Sequence, residues 1–267
     1  MKKIVLYFVA VISVLVIIVS IWGIGKSILI TTGKVQDKEV KKSSSEVAVV
    51  KNSSKSKVNY YNILVLGDSL AKGTGDENNK GFAAYYADDL KRKLSKPVNI
   101  DNLAVNGDVS TGLLEIVKSK NADSLIKASN TIFISIGGNE ISKLRRYDVV
   151  SQAAQIKTVE DVYLSNLKSI FKAIREKNQG CKIIFIGLYN PFGDNISPDK
   201  VKLINDWNKE TQDIIADDSN SVFIPTYDLF KYNSEMYLTI DNFHPNGNGY
   251  KAIAKRIEEV MLLSDVK

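Results

Sequence analysis

From Tyr60 onward, short apolar strand-like runs alternate with segments whose apolar residues recur at helical spacing. The runs are residues 63–66, 98–103, 131–136, 182–188 and 222–225, and the helical patterns are 82–94, 112–118, 159–177, 201–217 and 250–263. A run that is apolar without alternating is buried on both faces, as strands of a parallel sheet are. Parallel neighbours need a crossover between them, usually a helix. The expected fold is therefore α/β, a central parallel sheet covered by helices on both faces. Within 159–177 the helical spacing is read as placing Val162, Leu167, Ile170, Phe171 and Ile174 on one buried face. No internal repeat is found.

Before this domain the chain has a different character. Residues 4–25 contain no charge, a run of 22 that is long enough to cross a hydrocarbon core. Residues 1–30 are read as an uncleaved signal-anchor, with cleavage near Gly23-Ile24-Gly25 and a secreted domain as the alternative, and 31–59 as a flexible Lys/Ser-rich linker with little to bury. Ten lysines against three acidic residues give residues 1–58 a charge of +7, so the remainder of a chain of net charge +6 carries −1. The nearly neutral domain, 60–267, offers no nucleic-acid footprint. Lysines after the apolar run favour a cytoplasmic domain by the positive-inside count. The short basic N-terminus before it is that of an export signal. An extracytoplasmic domain, tethered to the cell membrane by this helix, is the expectation. The single cysteine, Cys181, excludes an intrachain disulfide and is read as a small apolar residue at a strand start.

In a parallel α/β sheet, ligands bind at the carboxyl ends of the strands. Asp68 and Ser69 follow the first run, Asn106 and Gly107 the second, Gly137, Gly138 and Asn139 the third, and Asn190 the fourth. The one histidine, His244, stands in Asp241-Asn242-Phe243-His244-Pro245. One histidine cannot make a His-rich metal site, and neither metal nor cofactor is expected. One is enough for a serine triad, in which Ser69 is the nucleophile, His244 the base and Asp241 the acid that orients it. Oxyanion donors are sought in the backbone N–H groups of Ser69 and Gly107 and the side-chain amide of Asn139. The acidic pairs Asp88-Asp89, Asp217-Asp218 and Glu258-Glu259 are read as solvated helix faces, and Trp207, Tyr85 and Tyr86 as packing residues.

These residues resemble the SGNH hydrolase superfamily, the GDSL-type lipases and acylhydrolases. Gly67-Asp68-Ser69-Leu70 matches its first block, Gly107 its second, Gly137-Gly138-Asn139-Glu140 its third, and Asp241 with His244 its last. Lys72-Gly73-Thr74-Gly75-Asp76 and Gly81-Phe82 have counterparts in small lysophospholipase-like bacterial members. The resemblance covers residues 62–261. It implies a three-layer α/β/α sandwich of flavodoxin-like type and metal-free hydrolysis of carboxylic esters through an acyl-enzyme. The substrate would be a lipid, a lysophospholipid or an O-acetyl group. Glu140 departs from the usual Asp and is expected to accept backbone hydrogen bonds that hold the 137–139 loop. The rival readings are an O-acyltransferase acting on envelope glycans and a catalytically idle envelope-binding module. The intact Ser69, Asp241 and His244 argue against the second.

Overall fold

The computed structural model describes residues 59–190 and 196–261. The expected membrane segment, residues 1–30, and all of the expected linker, residues 31–59, except Asn59 lie outside them. Among the described residues, no helix is long and apolar enough to cross a membrane.

Five strands form one sheet: β1 (Tyr61–Gly67), β2 (Val98–Asn102), β3 (Thr131–Ser135), β4 (Lys182–Ile186) and β5 (Ser221–Ile224). All pairs are parallel, in the order β2-β1-β3-β4-β5. Each coincides with an apolar run of the sequence. Alternate residues feed two cores. Leu64, Leu66, Ile132, Ile134, Ile183 and Phe185 face one side. Ile63, Val65, Phe133, Ile184, Ile186 and Ile224 face the other. Burial on both faces is why β1, β3 and β4 show little polar alternation, whereas the edge strand β2 alternates apolar and polar residues and is partly exposed.

The helices are α1 (Ser69–Lys72), α2 (Gly81–Lys93), α3 (Ser110–Lys118), α4 (Lys120–Ala128), α5 (Gly138–Lys143), α6 (Ala153–Lys177), α7 (Pro198–Ala216), α8 (Tyr227–Lys231), α9 (Ser234–Tyr237) and α10 (Gly247–Val260). Residues of α3, α4, α6 and α7 fill the first core, and residues of α2 and α10 the second. Helices on both faces complete the expected α/β/α layering.

Three details differ from the sequence reading. Helix α4 was not anticipated. Its apolar stripe is short, Ala122, Leu125 and Ile126, but Ser119 caps it by accepting the Ala122 N–H. In α6, Val162 is half exposed, and Tyr163 takes the inward position with Leu167, Ile170 and Ile174. Position 163 lies four residues before 167, one turn away, whereas position 162 is turned off that stripe. Asp218 is no solvated face: it makes a two-pronged ion pair with Arg175, at 2.5 and 3.0 Å. Trp207, fully buried, packs on Tyr163 with ring centroids 4.8 Å apart, and Tyr86 meets Phe133 edge-on at 5.4 Å. Cys181 is buried, as read.

Candidate active site

The sheet order reverses its direction of growth between β1 and β3, and an open α/β sheet leaves a crevice at such a point. Both strands deliver polar residues there. β1 ends at Gly67 with φ +131°, where a Cβ would stand 1.9 Å from the Ser135 carbonyl oxygen of β3. Only glycine lets the two strand ends approach so closely. The Asp68 N–H then donates to that oxygen at 3.0 Å. Asp68 caps α1 by accepting the Leu70 N–H at 3.0 Å, which sets Ser69 at the first helical position. A backbone N–H there has no partner inside its own helix, so it is available to a ligand.

His244 reaches Ser69 from a tight loop between α9 and α10. The Thr239 N–H donates to the His244 carbonyl at 2.8 Å, and Asn242 turns the chain at φ +53°. Inside the loop, Asp241 Oδ1 accepts from Thr239 Oγ1 at 2.7 Å, from the Phe243 N–H at 2.8 Å and from the His244 N–H at 2.9 Å. Its Oδ2 lies 2.7 Å from His244 Nδ1, and His244 Nε2 lies 2.9 Å from Ser69 Oγ. Partial burial works against the Asp241 charge, but the donors from Thr239, His244 and Phe243 outweigh it and hold this carboxyl well below the usual range. A carboxylate only accepts, so the imidazole proton sits on Nδ1 and Nε2 is free to accept from the serine hydroxyl. The arrangement can take a proton from Ser69 as its oxygen attacks a carbonyl carbon.

The histidine loop is fixed from outside as well. The Tyr189 hydroxyl donates to the Phe243 carbonyl at 2.5 Å. Tyr250 Oη donates to the Thr74 carbonyl at 2.7 Å, and Glu77 accepts the Gly247 N–H at 2.8 Å. Gly75, at φ +95°, lies so close beneath this loop that a Cβ would be 2.5 Å from the Pro245 carbonyl oxygen and 3.0 Å from His244 Cβ. The residues that follow Ser69 therefore hold the His244 loop in register. Glu77 and Tyr250 escaped the sequence reading, because nothing in the local spacing signals a contact across some 170 residues.

The expected oxyanion donors gather on the other flank. Asn139, in the first turn of α5, donates through Nδ2 to the Asp108 carbonyl at 2.7 Å. An amide nitrogen carries two hydrogens, so one remains for a ligand. Asn139 and Ser69 line one small pocket. Gly107 adopts φ +78°, with open space where a Cβ would be. Thr74 Oγ1 donates to Asn106 at 2.8 Å, tying this loop to the segment after the nucleophile.

Glu140 is buried, and Oε1 accepts the Ser110 N–H at 2.5 Å. It thus joins the 137–140 turn to the start of α3, on the far side of the 106–109 loop. The bond it accepts is a backbone one, as expected, but it comes from α3. Burial pushes the Glu140 carboxyl up. Burial, reinforced by the charge of Glu140, lifts Asp68 to about 7 against the opposing Leu70 N–H. Among the described residues, no cluster of His, Cys, Asp and Glu is suited to hold a metal.

The GDSL-like Lipase/Acylhydrolase family model matches residues 63–257. "Uncharacterized protein YpmR" of Bacillus subtilis is 33% identical over 205 residues, covering 74% of this chain and 80% of its own length. Spore germination lipase LipC of Bacillus licheniformis is 26% identical over 198 residues, covering 72% and 92%. Among solved structures, the lipase Lip_vut3 from a goat rumen metagenome superposes with a TM-score of 0.63 at 24% identity, covering 75% of this chain and 96% of its own. Axe2, an acetylxylan esterase from Geobacillus stearothermophilus, gives 0.56 at 18%, covering 79% and 96%. At these identities the structural likeness concerns the fold.

Proposed function

From the premise that this chain belongs to the GDSL-like lipase/acylhydrolase family and is a carboxylic ester hydrolase, we propose that it works through Ser69, His244 and Asp241, from a membrane anchor in residues 1–30. The observation that carries the reading is the unbroken line Ser69 Oγ, His244 Nε2, His244 Nδ1, Asp241 Oδ2, at 2.9 and 2.7 Å. Ser69 Oγ attacks the ester carbonyl carbon while its proton passes to His244 Nε2. The carbonyl oxygen gains the charge and accepts from the N–H groups of Ser69 and Gly107 and from the Asn139 amide. As the carbonyl re-forms, the bond to the alcohol oxygen breaks and His244 returns the proton to that oxygen. Water, deprotonated by His244, then releases the acid from Ser69. Asp241 stays ionised throughout, which its three donors favour.

The substrate is an ester of a lipid, a lysophospholipid or an acetylated glycan, met outside the cell. A fluorophosphonate probe tests the reading directly. Labelling should map to Ser69 and vanish in Ser69→Ala. Labelling elsewhere, or none in active protein, would remove Ser69 from the nucleophile's place. Release of free acid, with no acyl group passed to an added glycan, separates hydrolysis from transfer.

A further inference from the structure

The space around Ser69 is divided unequally. Against the serine lies a pocket of about 20 Å³, walled by Leu70, Gly138, Leu188, Tyr189 and Phe243. On that scale a single water needs roughly 10–15 Å³, so the pocket holds about one methyl-sized group. Its walls are anchored. Asn208 accepts the Leu188 N–H at 2.8 Å and donates to the Leu188 carbonyl at 2.9 Å. Tyr189 is tied to the Phe243 carbonyl and stacks on Phe230 with centroids 4.3 Å apart. Leu70, Leu188 and Tyr189 are all buried. A longer acyl chain would have to push packed side chains off their rotamers, a costly change in a close-packed interior.

The room lies elsewhere. A cavity of about 720 Å³ borders the catalytic loop at Leu238 and Asn242. Its wall mixes the rings of Tyr227 and Tyr232 with the amide of Asn233 and the charge of Arg145. Aromatic faces offer flat apolar contact, while amides and charges meet hydroxyls.

Resting on the reading of Ser69 as nucleophile, the geometry points to an ester that joins a short acid to a bulky, hydroxyl-rich alcohol: an O-acetylated carbohydrate. The acetyl methyl occupies the pocket at Leu70, Leu188 and Phe243, and the sugar occupies the cavity beside Asn242. The proposal thereby chooses among the ester classes open to the family.

The test uses the full chain in detergent with p-nitrophenyl acetate, butyrate and octanoate. We expect kcat/KM to fall at least 10²-fold from acetate to octanoate. Leu188→Ala should raise butyrate relative to acetate by about 10-fold, in line with the discrimination that a methylene or two supplies. Gly138→Ala works in the opposite sense. A Cβ there would lie 3.5 Å from Asp68 Oδ2 and 4.0 Å from Leu188 Cδ2, so it fits the fold yet fills the pocket, and it should depress acetate turnover at unchanged Tm. This variant and the wild-type series remain decisive if Leu188→Ala does not fold. Acetate should also be released from an O-acetylated oligosaccharide faster than fatty acid from lysophosphatidylcholine. Octanoate turnover equal to acetate, or preference for lysophosphatidylcholine, with Ser69→Ala inactive, overturns the short-acyl inference alone. Full activity of Ser69→Ala overturns the nucleophile reading beneath it.

Discussion

At the scale of single residues, the proposed mechanism gives Ser69 and His244 one shared proton transfer, so either loss should remove the same step. Ser69→Ala and His244→Ala should each lower kcat by roughly 10⁴-fold with the fold intact. Near-normal turnover by either purified variant would refute the pairing. In the same proposal Asn139 acts later, when charge develops on the carbonyl oxygen. Asn139→Ala should cost about 10²–10³ in kcat with a smaller change in KM, and a change confined to KM would make it a ground-state binder. Asp68 bears on stability. Buried beside Glu140, it holds a proton up to about pH 7 that an unfolded chain gives up near 3.8. Between those values the folded state binds more protons than the unfolded one. Stability should therefore fall as pH rises through this window, by up to about 1.4 kcal/mol per pH unit. Asp68→Asn keeps an oxygen to accept the Leu70 N–H and removes the charge. Urea titrations at pH 5 and pH 8 should show the variant losing this slope. An unchanged slope would mean that another group titrates there.

At the scale of elements, the loops around Ser69 and His244 are held by bonds to neighbouring elements as well as by bonds within them. Glu140 in α5 accepts the N–H of Ser110, which is itself buried at the start of α3. Glu140→Ala leaves that donor unpaired, at a cost of about 1–3 kcal/mol, and frees the 106–109 loop that carries Gly107. Its kcat should fall about 10-fold, whereas Glu140→Gln, still an acceptor, should recover most of both losses. Equal wild-type rates and melting temperatures for the two variants would deny the bridge. This scale also shows what the chain discloses about itself. All five strands were legible: β1, β3 and β4 because double-sided burial writes a nearly uninterrupted apolar run, and the partly buried edge strands β2 and β5 because apolar residues recur within them. Ser69, His244 and Asp241, which the structure brings together, stood out in the sequence as candidates because chemistry restricts their types and each sits at a strand end or in a short loop. Helix α4 was not, since nine residues starting with Lys120 carry too short an apolar stripe. Val162 was assigned inward because an apolar type outweighed its angular position, where Tyr163 fits the stripe. The Glu77–Gly247 and Glu140–Ser110 bonds were invisible as pairs, because a surface-type residue gives no local sign of which distant amide it will meet.

At the scale of the molecule, the described chain joins the sheet at Tyr61, the amino end of β1, while Ser69 follows the carboxyl end of the same strand. Seven residues at about 3.3 Å each separate the two edges by roughly 20 Å. Both hydrophobic cores are built from residues between Tyr61 and Met261, so the domain should fold without the leader. A chain beginning at Asn59 should be soluble and hydrolyse p-nitrophenyl acetate with kcat/KM within about twofold of the full chain, which should sediment with membranes and leave them only in detergent. A full chain found in the soluble fraction would remove the anchor. A shortened chain that folds but has lost turnover would show that the leader contributes to the site itself, which no residue of the Ser69–His244–Asp241 line requires.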